Sequence, residues 1–242
     1  MTIKTQTLSY TAGQDGLKGY IAYDDANESP GPGVMVIHEW WGLDDYIRTR
    51  ADRLAELGYT ALAIDMYGNG DTAGNPNEAG AMMNAVLGDM ETGTSRLKAA
   101  HEVLCAQSMV DETRTAAIGY CFGGAMVLHM ARIGMPLKAV VSFHGALESF
   151  HAPAAGEIKS KILICHGAAD SLVPESDIEV FNTEMATAQA NVKFESYEGA
   201  LHGFTNPDAT ERGRAYGLPL AYDESADHAS WSSMQALLNE AF

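Results

Sequence analysis

The sequence predicts an α/β fold: a mostly parallel, twisted sheet with helices on both faces. Three observations carry that expectation. Short β-rich apolar runs alternate with longer stretches of helical periodicity along the chain. Several runs, among them "GVMVI", "AVVSF" and "KILIC", are apolar at every position, as strands covered on both faces require. A chain of 242 residues with 46% hydrophobic side chains can bury one large core.

Taken in order, strands are expected at residues 3–10, 18–23, 33–37, 60–64, 115–118, 139–143, 161–165 and 192–197. The first two are separated only by a turn, so the sheet should open antiparallel before the strand–helix alternation makes it parallel. The stretch "DDYIRTRADRLAELG" places Ile47, Ala51, Leu54 and Leu57 on one helical face, with acidic residues at its start and a glycine at its end. Further helices are expected at 92–107, 122–132, 175–190 and 229–238. Residues 68–78 and 205–224, rich in Gly, Asn, Pro and charge, read as long loops, either binding or lid elements or plain surface excursions. No repeat, low-complexity tract or linker interrupts the chain, so one domain over residues 1–242 is expected.

Composition narrows the function. A net charge of −17 opposes nucleic acid and anionic membrane as partners. No apolar run approaches the ~18 residues of a membrane-spanning helix, and the N-terminus lacks the basic and apolar segments of a signal peptide. The cysteines are Cys105, Cys121 and Cys165, an odd number without C-x-x-C spacing, so reduced thiols and a cytoplasmic protein are expected. No short His or Cys pair has metal-ligand spacing, no G-x-G-x-x-G follows a strand, and there is no P-loop. Neither a metal nor another cofactor is implied. The expected partner is a small molecule, and the oligomeric state is left open.

The chemistry gathers at strand ends. In "IGYCFGG", Cys121 lies between Gly119 and Gly123, after an apolar run and before a helix. That is the form of a nucleophile elbow, where a tight turn excludes side chains and lifts the nucleophile to a helix N-terminus. A buried structural cysteine would explain the residue alone. Its partners favour catalysis. Asp170 follows the strand in "KILICHGAAD" and His202 follows the last strand in "SYEGALHGF", in the order nucleophile, acid, histidine. Each lies at the carboxyl edge of the sheet, where ligands bind in such folds. Glu39 and the tryptophans Trp40 and Trp41 follow "GVMVI" in "HEWWGLDD", as pocket wall or as solvated surface. The backbone N–H groups of Phe122 and Trp40 are the candidates for an oxyanion hole.

"HEWWGLDDYIRTRADRLAELGYTALAIDMYG", "GYCFGG", "CHGAADSLVP" and "LHGFTNP" together resemble the dienelactone hydrolase family, from about residue 15 to the C-terminus. The resemblance implies a single-domain α/β-hydrolase with a Cys121–His202–Asp170 triad and with Glu39 as the glutamate that contacts the resting thiol and helps activate it. It also exposes a departure. Dienelactone-cleaving members grip the substrate carboxylate with two arginines; here Asn206 fills one position, and residues 66–95, where the other would fall, contain none. A cofactor-independent ester or lactone hydrolase acting on small neutral substrates is therefore expected. Dienelactone cleavage (carboxymethylenebutenolidase activity) is the alternative within the class. A catalytically silent binding protein or thiol sensor is the alternative outside it. His144 reads as a pocket-lining residue with Trp41 and Asn206, His166 as support for its turn, Arg212 and Arg214 as surface charges, and Cys105 and Cys165 as packing thiols.

Overall fold

The structure, a computed structural model, describes residues 2–26 and 29–242. It is an α/β fold with an eight-stranded, mostly parallel sheet. The chain divides into two compact units, the first ending at Ile118 and the second running Gly119–Phe242.

In the first unit β1 (Ile3–Ala12) and β2 (Asp15–Asp24) form an antiparallel hairpin, and β2 pairs antiparallel with β4 (Thr60–Ile64). β3 (Gly31–Ile37) then pairs with β4 in parallel, Gly33 opposite Thr60 through Ile37 opposite Ile64. All five residues of β4 are buried, so apolar side chains on both faces of the strand leave water. α1 (Asp45–Glu56) starts at Asp44, whose side chain accepts from the Ile47 N–H, and buries Ile47, Ala51 and Leu54 as the periodicity requires. Leu57 departs from that face. It is the helix C-cap and is 42% exposed, because Gly58 at φ +90° turns the chain away. Beyond β4 the buried Asp65 carboxylate accepts four backbone N–H groups, from Lys18, Tyr67, Gly68 and Gly70, at 2.8–3.0 Å. One acidic side chain thereby organises the segment expected to be a loose loop.

That segment is shorter than the sequence suggests. Helix α2 (Pro76–Leu87) begins within it, with Asn75 capping the Asn77 and Glu78 N–H groups and Pro76 in the first turn. Only Ala79 and Val86 of α2 are buried, too few to draw an apolar stripe. α3 (Met90–Cys105) follows, capped by Asp89, and β5 (Val110–Tyr120) carries the chain into the second unit.

There α4 (Phe122–Arg132) follows at once, every residue buried. β6 (Ala139–Phe143), β7 (Lys161–Gly167) and β8 (Val192–Tyr197) pair in parallel, Phe143 opposite Cys165 and Gly167 opposite Tyr197. α5 (Glu175–Thr187) joins β7 to β8, and α6 (Ala209–Tyr216) and α7 (Glu224–Ala241) close the chain. α6 corrects the expectation of an irregular stretch over 205–224. It buries only Ala209 and Gly213, so its helical period is invisible in hydrophobicity. Among the described residues no helix is long and apolar enough to cross a membrane.

Arg132, fully buried at the end of α4, ties this unit together. Its guanidinium pairs with both Glu184 carboxylate oxygens at 3.1 and 2.7 Å and donates to the Leu147 and Glu148 carbonyls. Removing one member of such a pair strands the other charge away from water. Arg132→Ala should destabilise the protein by about 3 kcal/mol, measured by urea unfolding; an unchanged midpoint would show the pair to be dispensable.

Candidate active site

The elbow is set by glycine contacts. A Cβ on Gly119 would run into the Gly123 carbonyl oxygen, so the strand and the first turn of α4 can touch only without side chains. Gly124, which the motif does not single out, is equally constrained: a Cβ there would lie 2.6 Å from Ser142 Oγ and 2.7 Å from the Gly145 Cα. These contacts drive Cys121 into φ 53°, ψ −114°, a sparsely populated conformation for a side-chain-bearing residue. Its N–H donates to the Phe143 carbonyl at 3.0 Å, and the half-buried thiol stands at the N-terminus of α4.

The two partners named from the sequence reach it from the ends of β7 and β8. Asp170, 5% exposed, accepts from His202 Nδ1 at 2.8 Å, and His202 also hydrogen-bonds Cys121. The second Asp170 oxygen accepts the Leu172 N–H at 2.9 Å, which orients the carboxylate. Burial alone would push the His202 pKa down. Negative charge on the neighbouring Cys121 thiol and the hydrogen bonds to Asp170 and Cys121 outweigh it and raise the pKa to about 10.

Glu39, Trp40 and Trp41 follow β3 in the first unit. Glu39 is 5% exposed; Trp41 is buried with its ring edge-on to Trp40 at 5.0 Å. The turn is pinned by Tyr67 OH donating to the Trp40 carbonyl at 2.8 Å and Ala73 N–H donating to the Trp41 carbonyl at 2.9 Å. His38, overlooked in the sequence, anchors its start: Nε2 accepts the Met66 N–H at 3.2 Å while Nδ1 donates to the Glu39 carbonyl. That imidazole is neutral, and burial pushes its pKa down.

In the second unit Phe122 is the first residue of α4. His144 is buried beside His202, their ring centroids 5.2 Å apart. Asn206 is buried and its Oδ1 accepts the Asp208 N–H at 2.9 Å, shaping the turn after His202. His166 is 6% exposed, packed by Phe194. Arg212 and Arg214 lie on α6, Arg212 at 3.8 Å from Asp208 and Arg214 exposed. Cys165 is buried, and burial drives its thiol pKa well above the ordinary range. Cys105 lies on α3 beside His101, its thiol raised by burial. Among the described residues no group of three or more His, Cys, Asp or Glu could hold a metal ion.

A mostly parallel sheet with helices between its strands, in which Cys121, Asp170 and His202 follow β5, β7 and β8, has the architecture of an α/β-hydrolase. The chain belongs to the dienelactone hydrolase family, whose model matches residues 17–242, and is a hydrolase of lactones or esters. A solved dienelactone hydrolase-like promiscuous phosphotriesterase from metagenomic libraries is 37% identical over 100% of both chains, with a TM-score of 0.94. "Protein usf" of Aquifex pyrophilus is 28% identical over 93% of each chain. A dienelactone hydrolase from Anabaena variabilis, 20% identical over 97% of this chain and 99% of its own, shares the fold with a TM-score of 0.68.

The charge on His202 is open to direct measurement. Its folded pKa lies above the ordinary 6.5, so the stability that this proton contributes is complete below about pH 6.5 and is lost as pH rises through about 10. NMR titration of the ring should find His202 cationic at neutral pH. Alkylating Cys121 with iodoacetamide leaves a group that can carry no negative charge, and the titration should then move to lower pH. An unmoved titration after alkylation would refute the coupling.

Proposed function

We propose that the chain hydrolyses small neutral carboxylic esters or lactones through a covalent thioester on Cys121, with His202 as proton shuttle and Asp170 as its orienter. The single observation carrying this reading is the 2.8 Å bond from His202 Nδ1 to Asp170 on a ring that also bonds the elbow cysteine. The Cys121 thiolate attacks the carbonyl carbon, and the developing oxyanion is met by the Phe122 N–H at the positive end of α4. Collapse breaks the ester C–O bond, and the imidazolium gives its proton to the departing alkoxide. The thioester leaves Cys121 uncharged, so His202 loses a main reason to hold a proton and becomes the base for water. Water adds to the thioester, the thiolate departs, and the proton returns to His202. Glu39 as activator of the thiol is carried over from the family resemblance, and the Trp40 N–H as second oxyanion donor from its place in the loop after the third strand. With no cofactor in this scheme, reduced thiols suit a cytoplasmic setting.

Substrate charge follows from the cations. A carboxylate entering a dry cleft without a partner loses hydration worth several kcal/mol. Asn206 replaces one family arginine and is occupied with its own turn. Arg96, the first arginine after the stretch that lacks one, is held by Asp15 at 2.8 Å and the Met66 carbonyl at 2.7 Å. The net charge of −17 repels anions on approach. A second reading, attack on a neutral phosphotriester, is favoured by the activity named for the metagenomic neighbour at 37% identity.

Cys121→Ala should lower ester turnover by roughly 10³ or more, while Cys105→Ala and Cys165→Ala stay near wild type. A Cys121→Ala protein retaining most activity would exclude the mechanism and leave the silent binding protein or sensor. Neutral esters should exceed carboxylate-bearing lactones by at least about tenfold in kcat/KM. Efficient dienelactone cleavage that collapses in Arg212→Ala or Arg214→Ala would reverse the charge preference and identify the anchor.

A further inference from the structure

His202 is held by hydrogen bonds to Asp170, at Nδ1, and to Cys121, and two bonds leave a ring free to turn about the line that joins them. Fixing the plane of the imidazole needs a further contact on its flank. The dipeptide Phe143–His144 supplies one. Phe143 ends β6, and its carbonyl accepts the Cys121 N–H at 3.0 Å. The next N–H, from His144, donates to the Cys165 carbonyl at 2.8 Å, in the strand that leads to Asp170. The His144 side chain completes the link to the third element: Nε2 meets Thr205 Oγ1 at 2.7 Å, three residues beyond His202.

Both members of that bond are buried, His144 at 1% and Thr205 at 0% exposure. The His144 backbone adopts φ +40°, strained for a side-chain-bearing residue and kept only where its surroundings impose it. The ring lies edge-on to His202, centroids 5.2 Å apart and planes at 64°, and is backed by Phe204, also at 5.2 Å. An apolar side chain would fill this space without burying an imidazole and a hydroxyl. The polar pair adds direction, because it fixes both the His144 ring and the loop that carries His202.

We propose that His144, clamped by Thr205, is a positioning residue that sets the plane of the His202 ring toward Cys121. The inference rests on the reading of His202 as the proton shuttle. It assigns His144 no contact with substrate, so its loss should fall on the chemical step. Misplacement of a reacting group by about 1 Å costs on the order of 100-fold.

The test uses His144→Phe, Thr205→Val, the double variant, and the conservative variants His144→Gln and Thr205→Ser, assayed with a p-nitrophenyl ester. His144→Phe and Thr205→Val should each lower kcat tenfold or more with KM within twofold, and the double variant should lose little more than the worse single. His144→Gln, which keeps a nitrogen at the Nε2 position, and Thr205→Ser should recover at least threefold. Wild-type kcat in folded Thr205→Val, losses confined to KM, or fully multiplicative losses in the double variant would each overturn the proposal. Should His144→Phe fail to fold, the two Thr205 variants decide between the outcomes. Failure of the underlying reading shows separately, as activity retained in Cys121→Ala or His202→Ala.

Discussion

The backbone of Cys121 is the constraint on which the site depends. Its φ of 53° exists because Gly119 touches the Gly123 carbonyl and Gly124 packs on Ser142 and Gly145. A conformation of this kind costs about 1–3 kcal/mol, offset by the fully buried helix α4 that it launches. Any larger residue at Gly119 or Gly124 would push α4 away from β5 or β6 and swing the thiol with it. The Phe143 carbonyl, accepting the Cys121 N–H, fixes the elbow to β6, and the parallel register of β6, β7 and β8 sets where Asp170 and His202 emerge. Geometry at the thiol is thus inherited from glycine contacts several residues away.

Electrostatics then divides the labour between the two halves of the proposed reaction. The same burial that disfavours a charged imidazole also strengthens its attraction to a Cys121 thiolate and to Asp170. In the proposed reaction the thiolate keeps the proton on His202 for the leaving group. Once the thiol is acylated, its share of that attraction disappears while that of Asp170 remains, and burial then favours the neutral base. One histidine can serve as acid and base in turn because its charge is tied to the covalent state of its neighbour. A neutral substrate suits such a pair, since it brings no further charge into the cleft.

Much of this was legible in the chain. β4, β6, β8 and α4 match the expected spans because each is either apolar throughout or flanked by unmistakable punctuation. β5 was expected only at 115–118, since its first half, "VDETR", is largely exposed and polar and carries no strand period. α2 and α6 were missed because each buries two residues, so only their caps, Asn75 before Pro76 and Gly217 after Tyr216, signalled them. Chain order and strand ends single out Cys121, Asp170 and His202 in the sequence, and the structure puts His202 Nδ1 2.8 Å from Asp170. They do not single out Thr205, Gly124 or His38. Their roles are distances between segments far apart in sequence, and a threonine, a second glycine and a histidine at a strand end look ordinary one at a time.

The most direct test of the central claim is to catch the acyl-enzyme. Mixing the protein with a slowly turned-over p-nitrophenyl ester and quenching in acid should yield one acyl group per chain by intact mass. Peptide mapping should place it on Cys121, with release by hydroxylamine as expected of a thioester and a matching burst of p-nitrophenol. Steady turnover with no acylated species under conditions where deacylation limits the rate, or an acyl group located on another residue, would contradict the account.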